Sequence, residues 1–308
     1  MTENMREAFA KMMVELGGID DRLVVLVGDI SHGILQPFAK QFPDRYYNIG
    51  ICEPTIVNMS AGLSRVGLIP VVHTIAPFLI ERSYEQIKLD FGYQKRGLNL
   101  ISVGGAFDYS KLGCSHHCYT DVSLISHIEG SQVFVPGTAH EFRSLFTQAY
   151  EDASVNYFRL TEFPHSIDTS RWNVKVGEGL RVREGSDVTV ATTGAQLQTA
   201  VDAAEALSSE GISVEIMYFP TMKPFDYAGL RESVSKTQRL ITLEELSAHD
   251  GLFNLALQSV IGIEHLGVRQ LAIHGFVHGY GTYPDLCAAA GLTVHDVVKA
   301  AYELKEAK

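Results

Sequence analysis

Two hydrophobic periods alternate along the chain, and their order predicts a fold. Short, nearly unbroken apolar runs occur at RLVVLVGD (22–29), LIPVVHTI (68–75), LNLISVGG (98–105), QVFVPG (132–137) and NYFRLT (156–161). Runs of this length, rich in β-branched residues and closed by turn residues, predict strands buried on both faces. Segments with helical spacing lie between them, at 53–66, 77–94, 120–128 and 138–151, and residues 1–16 read as an amphipathic helix. Strands alternating with helices in this way build a parallel α/β sheet.

The alternation breaks over 162–187, a polar, turn-rich and weakly periodic stretch. It restarts with strands at 187–194, 213–220, 239–245 and 268–275, interleaved with helices at 195–210, 226–236 and 251–263 and a helical tail at 293–308. The chain therefore predicts two parallel-sheet α/β domains, 1–165 and 187–308, joined by a linker at 166–186. Its 308 residues agree with that number, at roughly 150 residues per domain. Ligands of parallel sheets sit at the carboxyl ends of the strands. The turns Gly28-Asp29, Gly104-Gly105, Gly194 and Glu244-Glu245 accordingly carry the most interest.

Composition narrows the class. The net charge of −11, with no lysine–arginine cluster against it, excludes nonspecific nucleic-acid binding. No apolar run approaches the roughly 18 residues of a membrane span. The N-terminal stretch lacks a signal-peptide layout, so a cytoplasmic protein is expected. Cys52, Cys114, Cys118 and Cys287 are too few and too scattered for a disulfide framework.

Candidate chemistry is concentrated in the first half. In NIGICEPTIVNMSAGL a single acid, Glu53, stands between Ile49 and Ile51 on one side and Ile56, Val57, Met59 and Leu63 on the other. That setting predicts a buried carboxyl group, which is costly unless paired or protonated. GDISHG follows the first strand but matches neither G-x-G-x-x-G nor the P-loop, so an ordinary strand-to-helix turn is the plainer expectation. CSHHC (114–118) is a dense cluster without the second ligand pair that zinc sites favour. A three-ligand catalytic zinc and a cysteine nucleophile beside a histidine are both weaker readings than a glycine-preceded loop that presents a histidine to a pocket. Phe78, Tyr84 and Phe91 form a helically spaced stripe that by pattern alone is core packing.

Several stretches in fixed order resemble the C-terminal half of transketolases and of 1-deoxyxylulose-5-phosphate synthases. They are VGDIS, FPDRYYNIGICEPTIVNMSAGLSRVGLIPVV, PFLIERSYEQIKLD, LGCSHHCYTDVSLI, VFVPGTAHEF, DVTVATTG and LITLEE. Over nearly its whole length the chain is similar to the separate C-terminal subunit of a split transketolase. The resemblance implies a thiamine diphosphate-dependent transferase, with a pyrimidine-binding domain followed by a C-terminal α/β domain. The family glutamate falls on Glu53, which would hydrogen-bond a pyrimidine nitrogen and promote the imino tautomer, with desolvation raising its proton affinity. Phe78 matches the aromatic that stacks on the pyrimidine, within one residue of uncertainty that touches Glu81 and Tyr84, and Tyr84 is taken with it as a cofactor-binding residue. Asp29 matches an acid near the cofactor. His116 aligns with the family's T-H-Q histidine, Ser115 and His117 with its neighbours, so His116 would bind oxygen or move a proton of the donor, with His117 beside it. Arg159 keeps the first arginine of an R-x-x-R phosphate contact.

What is missing matters equally. The G-D-G motif and its asparagine, which bind the diphosphate through Mg²⁺, have no match, since Gly28-Asp29 lacks the last glycine and Asn58 lies inside the glutamate block. The resemblance thus implies no metal ligand here, a partner polypeptide carrying the Mg²⁺ site, an active site between subunits and an α₂β₂ heterotetramer. Lys111-Leu112 replaces an acidic pair that reads a sugar hydroxyl, and Glu162 replaces the second arginine, where an acid would repel a phosphate. Together they imply an acceptor other than an ordinary aldose phosphate. A 2-oxo-acid dehydrogenase or decarboxylase beta subunit, and a noncatalytic α/β subunit, are the competing readings. The S-H-H loop argues against the first, and the retention of Glu53, Phe78 and His116 argues against the second.

Overall fold

The computed structural model describes residues 3–306. Its strands are β1 (Leu23–Val27), β2 (Tyr46–Asn48), β3 (Ile69–Ile75), β4 (Leu98–Val103), β5 (Gln132–Phe134), β6 (Val155–Arg159), β7 (Leu180–Arg183), β8 (Val188–Thr192), β9 (Val214–Tyr218), β10 (Thr221–Lys223), β11 (Arg239–Ser247) and β12 (Gly267–Ile273). They form two sheets, a seven-stranded one in the order β10-β5-β6-β4-β3-β1-β2 and a five-stranded one in the order β12-β11-β8-β9-β7. The first six strands pair with one another only in parallel, as do β8, β9, β11 and β12 among themselves.

The predicted alternation is therefore present, and burial explains it. Every residue of β1, β4, β6, β8 and β9 is buried. Successive side chains feed opposite faces. Val24 and Leu26 join one apolar cluster with Ile56, Val57 and Leu79, whereas Leu23, Val25 and Val27 join another with Phe9, Phe38 and Phe142. A third cluster fills the second domain around Val188, Val190, Leu197 and Ile241.

The pattern missed β2, β7 and β10. The first two are short edge strands with exposed or half-buried residues, and edges carry little apolar signal. β10 spans three residues and pairs antiparallel with β5, so a strand from the second half of the chain completes the first sheet. The segment expected as a plain linker is also ordered. Val174 is buried in the first domain's core with Trp172 and Val176 beside it, and its carbonyl accepts from Ser144 Oγ at 2.8 Å and Gln148 Nε2 at 2.9 Å. β7 then pairs antiparallel with β9. The segment straps one domain and edges the other.

The helix expected over 77–94 is not uniform. Pro77–Glu81 and Ile87–Tyr93 are π-helical, with one α-helical step at Tyr84–Gln86 between them. The Arg82 N–H donates to the Pro77 carbonyl five residues back, at 3.1 Å. Such a wide turn absorbs one extra residue within a helix, the physical form of the one-residue uncertainty around Phe78. The C-terminal helix is Val294–Glu306, and the last two residues of the predicted tail lie outside the described ones. Among the described residues, no helix is long and apolar enough to cross a membrane.

Candidate active site

The site is assembled at the carboxyl ends of β1, β2, β3 and β4. β1 leads into Asp29, held at φ +56°. Its N–H donates to Asn48 Oδ1 at 3.1 Å and its carboxylate accepts from Asn48 Nδ2 at 3.2 Å, tying it to the end of β2. The helix Glu53–Arg65 begins shortly after β2, with Pro in its first turn. Glu53 lies at that N-terminus, where the helix dipole favours a carboxylate, and it is only 1% exposed.

Its burial has a different origin from the one the pattern implied. Ile51 is 70% exposed and Met59 40%, whereas the Ile56, Val57 and Ser60 face packs inward with Ile49 and Leu63 beside it. The carboxylate is compensated by Arg82, whose Nη1 stands 2.7 Å from Glu53 Oε2. That pairing corrects the picture of an acid surrounded only by apolar groups. Arg82 carried no signal in the pattern, because only the π turn at Pro77–Glu81 aims it at Glu53.

The same guanidinium lies over the Phe78 ring at 4.3 Å. His116 meets that ring edge-on at 5.2 Å, and Tyr109 meets His116 edge-on at 6.3 Å. Ser115 Oγ lies 3.0 Å from His116 Nδ1. The structure thus brings Glu53, Phe78 and His116 together and adds Arg82 and Tyr109. Tyr109 packs across Gly104, at φ +78°, where a Cβ would meet the tyrosine ring at 2.5 Å. Burial, reinforced by the charge of Glu162, pushes its phenol up to about 12. The loop carrying His116 is anchored by Glu81, which accepts from Thr120 Oγ1 at 2.6 Å.

Other expected residues lie apart. Tyr84 is half-buried against the first-domain core, with the Lys88 ammonium 6.0 Å from its ring. His117 turns away from His116 and is buried edge-on to Phe107 at 5.3 Å, which lowers its pKa. Cys114 is exposed and Cys118 buried. Among the described residues, no three His, Cys, Asp or Glu side chains gather as a metal-ligand group. Arg159 is 5% exposed, with Nε 3.3 Å from Asp121 Oδ2 and Nη2 donating to the carbonyls of Cys118 at 3.1 Å and Glu245 at 3.3 Å. From this buried position it ties the two domains together. Glu162 does not stand alone either, since Arg6 pairs with it at 3.1 Å and also donates to Ser31 Oγ.

The second-domain turns meet the first domain here. Glu245 accepts from Gln196 Nε2 at 2.6 Å and from the Tyr283 hydroxyl. Glu244 accepts from the N–H groups of Leu252 and Phe253 and caps the helix Leu252–Val260. Asp108 is buried beside this seam, accepting from Thr161 Oγ1 at 2.9 Å and the Glu162 N–H at 3.1 Å. Burial first, and Glu245 second, push its carboxyl up to about 8. The folded state therefore keeps this proton where the unfolded chain has lost it, so stability falls as pH rises toward 8. Urea midpoints measured from about pH 5 to about pH 9 should decline, and Asp108→Asn, which cannot ionise, should flatten that decline.

A buried acid, an aromatic face and a histidine at the strand ends of a parallel sheet define a cofactor-binding α/β domain, with a second α/β domain docked on it. The description "transketolase, pyrimidine binding domain" matches residues 2–163 and "transketolase, C-terminal domain" residues 177–297. The chain belongs to the transketolase family, whose enzymes depend on thiamine diphosphate. It is 30% identical to the 6-deoxy-6-sulfo-D-fructose transketolase subunit of Clostridium sp. (strain MSTE9), covering 99% of this chain and 95% of that one. It is likewise 30% identical to an apulose-4-phosphate transketolase subunit of Actinobacillus succinogenes, over 89% of each chain. A solved structure described as a split gene transketolase, inactive beta4 tetramer, superimposes with a TM-score of 0.88 at 31% identity, covering 98% of both chains.

Proposed function

We propose that this chain is the pyrimidine-binding subunit of a two-component transketolase that moves a two-carbon ketol unit from a ketose donor to an acceptor other than a standard aldose phosphate. The observation that carries the proposal is Glu53, buried at a helix N-terminus and joined through Arg82 to the Phe78 face that His116 borders. These residues fit an aminopyrimidine, since a flat nitrogen-bearing group already stacks on Phe78 and hydrogen-bonds Glu53. Bound thiamine diphosphate would supply the carbanion-stabilising centre. Glu53 would hold the pyrimidine nitrogen, Phe78 its face, and Asp29 would stand near it. His116 would bind the donor's oxygen or move its proton, with Tyr109 edge-on to its ring.

The partner polypeptide would carry the diphosphate and Mg²⁺ ligands, for which the sequence here has no G-D-G motif. Ile51, Met59, Val66 and Tyr93 leave an exposed apolar surface around the glutamate helix and the π segment, which an α₂β₂ assembly would cover. The acceptor reading rests on Glu162 and Lys111-Leu112 at the family's phosphate and hydroxyl positions. Relatives named for 6-deoxy-6-sulfo-D-fructose and for apulose-4-phosphate, neither of them a standard aldose phosphate, support it.

The test is co-expression with a candidate N-terminal subunit, followed by ketol-transfer assays with thiamine diphosphate and Mg²⁺. Transfer by the pair, with neither polypeptide active alone, is the expected outcome. Turnover of xylulose 5-phosphate and ribose 5-phosphate at ordinary transketolase rates would overturn the acceptor reading. Decarboxylation of a 2-oxo acid without ketol transfer would overturn the reaction.

A further inference from the structure

We propose that Arg82 is a built-in competitor of the cofactor's pyrimidine: it makes both contacts that the ring would take and must leave them when the cofactor binds. The inference rests on the functional reading above and goes beyond it to the order of events at the site.

Two independent contacts converge on this one side chain. Arg82 Nη1 is 2.7 Å from Glu53 Oε2, and the guanidinium carbon is 4.3 Å from the centre of the Phe78 ring. A guanidinium is planar, offers N–H groups to a carboxylate and stacks on aromatic faces. An aminopyrimidine is likewise planar, likewise stacks on aromatic faces, and meets a carboxyl group through a ring nitrogen that shares its proton. One carboxylate edge and one ring face cannot serve both groups at once. His116 stands edge-on to the same phenylalanine, at 77° between planes, so the ring that Arg82 covers also borders the histidine.

The backbone aims Arg82 there. The π turn Pro77–Glu81 is closed by the Arg82 N–H on the Pro77 carbonyl. Phe78 and Arg82 are four residues apart in the sequence, and Glu81 is drawn the other way, to Thr120 Oγ1 at 2.6 Å. Exposure makes the arrangement reversible. Glu53 is 1% exposed at its side chain, whereas Arg82 is 45% exposed. The acid cannot leave its place without burying or stranding a charge. The arginine is already half in water and loses little by swinging out. Paired in this way, Arg82 spares Glu53 the cost of an unpaired buried carboxylate and ties it to Phe78.

Competition of this kind lowers apparent affinity by the fraction of sites in which the arginine has moved away. Removing the competitor should therefore tighten cofactor binding, the opposite of what removing a cofactor ligand would do. The experiment is a calorimetric titration of thiamine diphosphate with Mg²⁺ into the reconstituted two-component complex. Arg82→Gln, which can still hydrogen-bond Glu53 but neither pairs nor stacks as a cation, should lower Kd about five- to tenfold. Arg82→Lys pairs without a planar fork and should fall between Gln and the native residue. If Arg82→Gln does not assemble, the lysine variant alone must still bind more tightly than wild type. Unchanged or weaker binding in the variants, with normal binding by wild type, overturns the competing role and leaves the functional reading intact. A wild-type complex that takes up no thiamine diphosphate overturns both.

Discussion

Replacing Glu53 with Gln in the assembled enzyme should reduce kcat by about 10²–10⁴-fold, the range lost with a positioned proton-transfer group, while assembly survives. The side chain lies at the first position of the helix Glu53–Arg65, and its one polar partner among the described residues is the half-exposed Arg82. Glutamine keeps the length and an oxygen that can accept from that arginine. The fold therefore loses only a modest pair, and the melting profile and elution volume of the complex should change little. What glutamine cannot do is share a proton with a ring nitrogen, because an amide does not exchange roles between acid and base. Steady-state kinetics beside size-exclusion chromatography makes the comparison. Normal activity in Glu53→Gln would remove the cofactor role from this residue, and an unassembled complex would show that Glu53 is chiefly structural.

Glu53 also marks how far the sequence could be read. Its position was legible because a lone acid inside an apolar run is chemically conspicuous, and the surrounding motif resembles one family. The parallel strands were legible for a similar reason, since burial on both faces leaves continuous apolar runs. Arg82 and Tyr109 were not. Each is an ordinary residue in sequence, and each enters the site only through backbone geometry, a π turn for Arg82 and the positive-φ Gly104 for Tyr109. His117 and Arg159 show what a motif leaves open. A motif position transfers a residue's place in the chain, whereas the direction of its side chain depends on packing. Phe107 draws His117 inward, and Asp121 with the Cys118 and Glu245 carbonyls draws Arg159 into the seam. Of the second-domain turns, Gly194 faces Val135 and the Glu245 carbonyl accepts from Arg159 at the seam, whereas Glu244 is turned to its own domain's helix Leu252–Val260.

Arg159→Met should destabilise the folded chain by about 3–5 kcal/mol, the cost of leaving a buried charge without its partner. Methionine fills similar volume, so the loss is electrostatic rather than a cavity. Asp121 is fully buried and would retain only the Tyr157 hydroxyl, at 2.6 Å, among its present partners. The carbonyls of Cys118 and Glu245 would lose the same donor. Gly105 shows how tightly the guanidinium is held, since a Cβ there would meet Arg159 Nε at 2.0 Å. Gly105→Ala should therefore destabilise by the same route. The control is Arg159→Met combined with Asp121→Asn. Neutralising the stranded acid should restore part of the loss, giving a coupling of about 0.5–3 kcal/mol in a double-mutant cycle read from urea unfolding. Strict additivity would mean that the two residues do not act as a pair. Function should follow stability here, because Asp121 opens the helix Asp121–Ser126 directly after the loop that presents His116. Arg159→Met should thus lower ketol transfer even below the unfolding transition, whereas a substitution at an exposed ion pair such as Lys175–Glu178 should leave both stability and transfer near wild type.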